Sequence, residues 1–318
     1  MLAGLLYAGS GIGLSAWIGA THLRRRGATA RAPLTRADLP WLAGAVLAGG
    51  VVGPVLLMLG LAASNASSAS LLLNLEGVFT ALLAWFVFRE NFDRRIALGM
   101  ALIVGGGILL SIGPRAAAGS ASLGALAISA ACLAWAIDNN LTRKLSSGDA
   151  ATIAAIKGSV AGAVNLGLAC AAGAAWPAAG QVVAAALIGL FGYGVSLALF
   201  VVALRGLGAA RTGAYFSTAP FVGVAVALAL LGETPGTLFW AAAALMAAGV
   251  WLHVSERHEH THAHEPLEHS HAHVHDEHHR HRHDFDWDGS EPHVHPHAHA
   301  RMVHSHPHYP DIHHLHPH

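Results

Sequence analysis

The chain has 318 residues, of which 54% are hydrophobic and 11% are charged, and its 18 basic residues balance its 18 acidic residues. Because soluble domains carry roughly 25% charged residues, this composition excludes an ordinary soluble domain and indicates a membrane protein whose first partner is the lipid bilayer. The two cysteines, Cys132 and Cys170, lie in apolar segments without disulfide or metal-ligand spacing, so we expect them to be packing residues.

Nine apolar runs follow one another along residues 1–254, joined by short connections. Runs of about 20 residues are long enough to cross a hydrocarbon core roughly 30 Å thick. The predicted spans are 2–21, 40–62, 67–88, 96–113, 122–140, 152–173, 181–204, 210–231 and 237–254. The sequence therefore predicts an all-α membrane protein with nine transmembrane helices.

Basic residues cluster in every second connection. Twelve Lys and Arg residues lie in the connections after spans 1, 3, 5 and 7, whereas the alternate connections contain only Arg115. Since Lys and Arg favour the cytoplasmic side, we predict a multi-pass protein of the cell inner (plasma) membrane with its N-terminus outside and its C-terminal tail in the cytoplasm. The first span is not a secretory signal peptide, because Arg24, Arg25 and Arg26 follow it rather than precede it.

Residues 61–110 and 204–252 resemble each other in register. Each copy holds an apolar helix that ends in a glutamate (Glu90 or Glu233), a short loop and a second apolar helix, and each carries a residue that loosens the backbone (Gly77 or Pro220) at the same place. The charges of the connecting loops indicate that the two copies cross the membrane in opposite directions. The sequence thus predicts an inverted-repeat helical bundle, a mark of secondary transporters, with a transport site near the midplane where spans 3 and 8 meet.

Extending this match backwards defines the predicted domains. Spans 1 and 2 pair with spans 6 and 7, and span 5 is left without a partner. The prediction is a first repeat of four helices in residues 1–115, a second repeat of five helices in residues 120–254, and a separate tail in residues 255–318. We therefore expect four plus five helices of a design with five plus five, in which the first helix is missing.

A set of short motifs follows the same order as the repeat. In the first half they are Leu75-Glu76-Gly77-Val78-Phe79 and Phe88-Arg89-Glu90; in the second half they are Cys132-Leu133-Ala134-Trp135-Ala136, Ala219-Pro220-Phe221, Leu231-Gly232-Glu233 and Ala248-Gly249-Val250. Over residues 1–254 this set resembles the EamA-type members of the drug/metabolite transporter superfamily. The resemblance implies a permease, usually of ten helices with both termini cytoplasmic, that moves small solutes by alternating access. This chain departs from that pattern in lacking the first helix.

Glu76 is the sharpest candidate for a functional residue, since it lies near the middle of span 3. A charge at bilayer depth costs at least ~2.5 kcal/mol, so such a residue usually faces the protein interior and serves a pathway. A carboxylate beside backbone carbonyls freed at Gly77 could bind a proton or a cation; the alternative is a buried carboxyl that only locks helices together. Asn74 is a further candidate, although it lies about 200° round the helix from Glu76.

Other candidate substrate- or ion-binding residues lie in spans 5 to 8. Pro220 removes a backbone donor, and its polar neighbours either line a cavity or satisfy the backbone. Lys157 either contacts substrate or snorkels to the cytoplasmic surface. Asp138, Asn139 and Asn140 either gate a cytoplasmic mouth or, as we expect, cap and solvate a helix end. The candidates are Trp135, Lys157, Tyr193, Tyr215, Ser217, Thr218 and Pro220. The polar residues inside the membrane are too few for an acid-base set, so we expect no catalytic residue and no enzymatic activity.

The tail differs in chemistry from the rest of the chain, because residues 255–318 hold 23 of the 25 histidines and 11 acidic residues. Imidazole suits Zn, Ni and Cu, and dense His tracts are typical of metal binding. We predict a tail that is disordered without metal and binds a divalent ion such as Zn, Ni or Co; the alternative is a solvated, pH-responsive tail. The predicted metal ligands are His258, His260, His262, His264, His269, His271, His273, His275, His293, His295, His297, His299, His304, His306 and His308.

Three functions are compatible with these features. The leading one is an EamA-type permease for a small molecule or ion, with Glu76 as the coupling or binding carboxylate and no required cofactor. The second is a Ni, Zn or Co exporter whose tail collects the metal. The third is a membrane-bound metal buffer or sensor that transports nothing. The sequence is compatible with a homodimer as well as with a monomer, and we expect no nucleic-acid partner.

Overall fold

A computed structural model describes residues 1–24, 34–88, 94–111, 120–146, 148–255, 259–264, 267–273, 293–299 and 302–307. The chain divides into a helical unit and a second unit, Arg257–His308, and each is described by itself.

The first half of the helical unit contains the four predicted spans of the first repeat. The second of these spans begins with a 3₁₀ turn, Arg36–Asp38, and contains a π-helical stretch, Val46–Val52, whereas the third is broken in two. The α-helices are α1 (Leu2–Arg24), α2 (Leu39–Ala45), α3 (Gly53–Ala62), α4 (Ala66–Leu72), α5 (Leu75–Phe88) and α6 (Arg94–Ser111).

The second half contains the five spans of the second repeat. A π-helical stretch, Leu190–Val195, follows α9, and α10 contains a kink at Gly208, whose φ of +75° lies in the left-handed region that favours glycine. The helices are α7 (Ser120–Leu145), α8 (Ala150–Ala171), α9 (Ala179–Gly189), α10 (Ser196–Phe216), α11 (Ala219–Leu231) and α12 (Thr237–Val254).

Helices therefore occupy every one of the nine predicted spans within the described residues, which confirms the all-α membrane fold. Eight of them are long and apolar enough to cross a membrane. The ninth, α7, contains the polar residues Asp138, Asn139 and Asn140, and it packs against α3 and α5 inside the bundle.

The irregular backbone recurs at matching places in the two halves. In the register that pairs Leu61 with Leu204, the two π-helical stretches coincide to within one residue. The turn of Leu73 and Asn74 that separates α4 from α5 likewise matches the turn of Ser217 and Thr218 that separates α10 from α11. The two halves thus share their departures from helical geometry as well as their order of helices.

Helices that the repeat pairs also pack on each other. The largest helix contacts are those of α1 with α8 and of α6 with α12, and α11 packs on α4 and α10 on α5. Glycines permit this close approach: a Cβ on Gly249 of α12 would overlap the Gly99 carbonyl of α6. Each of these contacts therefore joins a span of the first half to its counterpart in the second half.

The helical unit exposes apolar side chains and buries polar ones. Phe86, Leu230 and Trp251 are among many large apolar residues that lie on the outside, whereas Asn139, Lys157 and Asn165 are buried. An apolar exterior is stable against lipid, and buried polar groups need internal hydrogen bonds there. This distribution agrees with an integral multi-pass membrane protein.

The described part of the second unit consists of paired strands. These strands differ from the disordered tail that the sequence predicts. The alternating residues fit the two-residue repeat of a strand, and such a segment can form strand pairs as well as remain solvated. Strand β1 (Glu259–His264) pairs antiparallel with β4 (Met302–Pro307), and β2 (Leu267–His273) pairs antiparallel with β3 (His293–His299). The register places histidine opposite histidine, as in the pairs His260 with His306 and His271 with His295.

Candidate functional site: a cavity between two broken helices

A cavity of about 290 Å³ lies where the breaks of the two repeats meet. Its lining comes from α4 and α5 of the first repeat and from α10 and α11 of the second. The lining residues are Ser70, Leu73, Glu76, Gly77, Gly213, Phe216, Ser217, Ala219, Pro220 and Gly223. Glu76 is the charged side chain among these described residues, so the cavity carries an acidic group on an otherwise small and apolar wall.

The turn that interrupts the helix before α5 places Glu76 in the first turn of that helix. Its Oε1 atom accepts a hydrogen bond of 2.9 Å from Nδ2 of Asn139, which also lies 3.2 Å from the Thr80 hydroxyl. Asn139 belongs to α7 and is buried. The carboxylate is therefore oriented by a helix that does not itself line the cavity.

The opposite wall is shaped by Pro220 in the first turn of α11. Proline has no amide hydrogen, so the Phe216 carbonyl does not receive the hydrogen bond that residue 220 of a regular helix would donate. The Pro220 carbonyl accepts a hydrogen bond of 2.9 Å from the Ser70 hydroxyl, and the Ser217 hydroxyl bonds back to the Gly213 carbonyl. The cavity thus combines one carboxylate, two hydroxyls and loosened backbone.

A buried ion pair joins α7 to α8. Lys157 Nζ is 2.5 Å from Asp138 Oδ1 and 2.9 Å from the Thr142 hydroxyl, and that hydroxyl donates to the same Asp138 oxygen. Lys157 is only 2% exposed. It therefore does not snorkel to the surface, since its charge is matched inside the bundle by a carboxylate one helix away.

The expectation that Asp138, Asn139 and Asn140 solvate a helix end is wrong, because all three are buried. Asp138 pairs with Lys157, Asn139 orients Glu76, and Asn140 donates to the carbonyls of Thr80 and Ala136. The missed signal is the length of α7, which continues to Leu145. The extra turn brings these polar residues inside the protein rather than to its edge.

The remaining predicted site residues fall into two groups. Ser217 and Pro220 line the cavity with Glu76. Asn74, Trp135, Lys157, Tyr193, Tyr215 and Thr218 are not among the described lining residues. Tyr215 is 52% exposed, and the Thr218 hydroxyl only bonds back to the Tyr215 carbonyl, so these two lie on the outer face of the break.

Asn74 is fully buried, and its Nδ2 donates to the Leu71 carbonyl. This placement fits the helical geometry that sets Asn74 on a different face from Glu76. Its Oδ1 atom has no hydrogen-bond partner among the described residues. Asn74 therefore stabilises the turn that ends α4 rather than the cavity wall.

The aromatic candidates lie beside the π-helical stretch of the second span. Trp135 Nε1 and the Tyr7 hydroxyl each donate a hydrogen bond of 2.9 Å to the Gly49 carbonyl, and the Tyr7 and Tyr193 rings lie edge to face at 4.9 Å. Asn165 donates to the neighbouring Gly50 carbonyl. Sequence reasoning missed this cluster, although Pro54 inside a predicted span was a signal of irregular backbone.

The predicted metal ligands of the tail lie on the four strands, with the exception of His258, His275 and His308, which are outside the described residues. Among the residues whose side chains are described, no three His, Cys, Asp or Glu side chains come close enough together to hold a metal ion.

Comparison with known proteins identifies the family to which this architecture belongs. The EamA-like transporter family matches twice, over residues 1–112 and 122–255. An uncharacterized transporter of Methanothermobacter thermautotrophicus is 31% identical over 207 residues, which are 64% of this chain and 60% of that protein. The probable 4-amino-4-deoxy-L-arabinose-phosphoundecaprenol flippase subunit ArnE of Pseudomonas fluorescens is 55% identical over 40 residues, 13% of this chain and 35% of that protein.

This chain therefore spans less than two thirds of these relatives. One solved crystal structure has a TM-score of 0.59 at 16% identity, covering 79% of this chain and 85% of the other, and at that identity it shows the fold alone. The two family matches fall on the two halves that share the breaks and the π-helical stretches. The chain belongs to the EamA-like transporter family.

Proposed function

We propose that the protein is a multi-pass permease that moves a small solute by alternating access, with Glu76 as its binding or coupling carboxylate. The observation that carries this proposal is the cavity between the two helix breaks. Secondary transporters with inverted repeats bind substrate near the midplane at discontinuous helices, and an intramembrane carboxylate usually serves a pathway. No enzymatic step is needed for this function.

The chemistry of the cavity favours a positively charged group or a proton. The described lining offers a carboxylate and hydroxyl and carbonyl oxygens, and the nearby Lys157 is already paired with Asp138. A solute without positive charge leaves Glu76 uncompensated in a low-dielectric site unless a proton accompanies it. The volume of about 290 Å³ is at the lower end of small-molecule sites, which span roughly 300–1,000 Å³, and therefore suits a small solute.

Currents across proteoliposomes test the proposal. The full chain is exposed at neutral pH to concentration jumps of ethylammonium, putrescine, alanine, glutamate and glucose. We expect a current with at least one solute, loss of that current in Glu76→Gln, and partial retention in Glu76→Asp, which keeps the charge. The matched control is Ser111→Ala, outside the cavity, whose hydroxyl bonds to the Gly107 carbonyl. An unchanged current in Glu76→Gln contradicts the assigned role of this residue.

A Ni, Zn or Co exporter is the second candidate function. The strand register of the tail favours it, because histidine lies opposite histidine at every second pair of positions along most of the two ladders. The test compares the Ni, Zn and Co content of cells that express the full chain, a chain ending at Ser255, or Glu76→Gln. Export is supported if the full chain lowers the cellular content of one metal and both variants lose this effect. A metal content that only rises when the tail is present supports a buffer or sensor.

The orientation in the membrane is part of the same proposal. Twelve basic residues on one side against one on the other support residence in the inner (plasma) membrane with a cytoplasmic tail. Labelling of a cysteine placed in the tail with an impermeant reagent, in intact cells and in broken ones, checks this assignment.

A further inference from the structure

Glu233 makes a contact that joins the two repeats. It follows the C-terminus of α11, where Gly232 has a φ of +64°, and its carboxylate accepts hydrogen bonds of 2.9 Å and 3.0 Å from the backbone amides of Ala66 and Ser67. These amides begin α4, on the other repeat. The first amides of a helix have no partner within the helix, and their positive dipole favours an anion. One side chain therefore holds the end of α4 against the end of α11.

A second contact joins the same two helices nearer the cavity. The Ser70 hydroxyl donates to the Pro220 carbonyl, and Ser70 also fills the space beside Gly223, where a Cβ would overlap its hydroxyl oxygen. Ser70, Pro220 and Gly223 all line the cavity. The α4–α11 pair therefore extends from the cavity wall to the Glu233 end.

A different pair of helices packs on the other side of the breaks. Gly77 of α5 lies against Ser217, and Gly213 of α10 lies against Thr80. The breaks at Leu73–Asn74 and Ser217–Thr218 separate this α5–α10 pair from the α4–α11 pair. Two packed pairs with a break between them resemble the discontinuous helices around which secondary transporters alternate access.

We propose that Glu233 is the latch of a gate formed by α4 and α11, and that a solute passes between the cavity and the Glu233 side of the membrane only when the carboxylate releases the amides of Ala66 and Ser67. The inference rests on the proposed function, since a gate requires a transported solute. It assigns to Glu233 a positioning role in transport. The competing explanation is a helix cap that contributes only to stability.

Accessibility of a cysteine in the cavity tests the gate without a known substrate. The background is the full chain with Cys132→Ala and Cys170→Ser, to which Ser217→Cys is added as the reporter. Proteoliposomes are treated with an impermeant methanethiosulfonate reagent on the Glu233 side, and the rate of labelling is measured. Because hydrogen bonds to a charged group are roughly twice as strong as neutral ones, loss of both is expected to raise the rate in Glu233→Ala by about ten- to hundredfold. The labelling rate of Glu233→Gln, which keeps one acceptor oxygen, should lie between those of the wild-type residue and Glu233→Ala.

Asp149 provides a matched control. Its carboxylate caps α8 by accepting from the Thr152 amide and hydroxyl at 2.8 Å and 2.9 Å, within one repeat. Asp149→Ala should lower thermal stability without changing the labelling rate. An unchanged rate in Glu233→Ala, or an equal rise in Asp149→Ala, overturns the proposal and leaves Glu233 as a simple cap.

A cross-link provides a second readout. Ala66→Cys and Glu233→Cys are joined by a short, reducible bis-methanethiosulfonate, in the background without native cysteines, and the solute currents are measured before and after reduction. A gate predicts that currents stop when the link forms and return when it is cleaved; currents that continue through the linked protein overturn it. If the wild-type chain moves none of the five solutes, measured as current and as uptake of the radiolabelled solute, the permease proposal fails, whereas the labelling rates still decide the gate.

Discussion

Asp138 and Lys157 show how single residues determine the stability of this protein. Both are buried, and each is the nearest opposite charge of the other. Removal of one partner of a buried pair leaves an uncompensated charge, which costs about 3–5 kcal/mol. The pair therefore couples α7 to α8 whether or not it takes part in transport.

We predict that Lys157→Met and Asp138→Leu each lower the unfolding temperature in detergent strongly, and that the double variant recovers most of the loss because no unpaired charge remains. Thermal unfolding of the four proteins, followed by intrinsic tryptophan fluorescence, measures this. Losses that add in the double variant would show that the two residues act independently.

Glu233 also makes a prediction about pH at the residue scale. Desolvation raises the pKa of its carboxyl, but hydrogen bonds from the Ser67 hydroxyl and the amides of Ser67 and Ala66 outweigh it, so the pKa is lowered from its ordinary value of 4.5. A group with a depressed pKa in the folded state stabilises that state above the ordinary pKa, and the stabilisation is lost as the pH falls through the folded value. The contact is therefore complete at neutral pH.

We expect wild type to be more stable than Glu233→Gln at neutral pH and the difference to shrink below pH 4.5. Unfolding temperatures of both proteins over a pH series check this, with Asp149→Asn as a second capping variant for comparison. A difference that grows with acidity would contradict the direction of the pKa shift.

At the scale of elements, the geometry of the π-helical stretch Val46–Val52 explains why two side chains, those of Tyr7 and Trp135, converge on the Gly49 carbonyl. The amide of Gly53 bonds to the Ala48 carbonyl, and Pro54 has no amide hydrogen, so the Gly49 carbonyl is left for Tyr7 and Trp135. A buried carbonyl needs at least one partner. The irregular helix is thus stable because side chains from α1 and α7 replace backbone donors.

This arrangement predicts a non-additive result. Tyr7→Phe and Trp135→Phe should each cost little, because the remaining donor still satisfies the Gly49 carbonyl. The double variant should cost about 1–3 kcal/mol more than the sum, the penalty of an unsatisfied buried acceptor. Thermal unfolding of the single and double variants measures this, and simple additivity would argue that the two bonds do not share one acceptor.

At the scale of the whole molecule, the chain divides into a helical unit and a tail unit that differ in chemistry. The family match also ends at residue 255. We predict that a chain ending at Ser255 inserts into membranes and unfolds at the same temperature as the full chain. Size-exclusion chromatography and thermal unfolding in detergent check this, with Ni²⁺ affinity chromatography as the readout for the tail. A large loss of stability on truncation would show that the tail supports the bundle.

The sequence by itself determined the spans, their repeat and the position of Glu76 on a broken helix. These depend on local properties. They are runs of apolar residues long enough for a bilayer, a proline or glycine that disrupts helical hydrogen bonds, and a carboxylate at bilayer depth, where its desolvation is costly and such residues are usually functional. The family match over both halves confirms the resemblance drawn from Glu76-Gly77 and Ala219-Pro220.

The tertiary structure alone decided which polar groups meet. Asn139 reaches Glu76 across 63 positions of sequence, Glu233 reaches Ala66 across 167, and Asp138 meets Lys157 because α7 continues into the bundle before α8 turns back. Hydrogen bonds and ion pairs act over a few ångströms and have no fixed spacing along the chain, so no local pattern specifies them. Only the packing of α4 on α11 and of α5 on α7 brings these partners within that range.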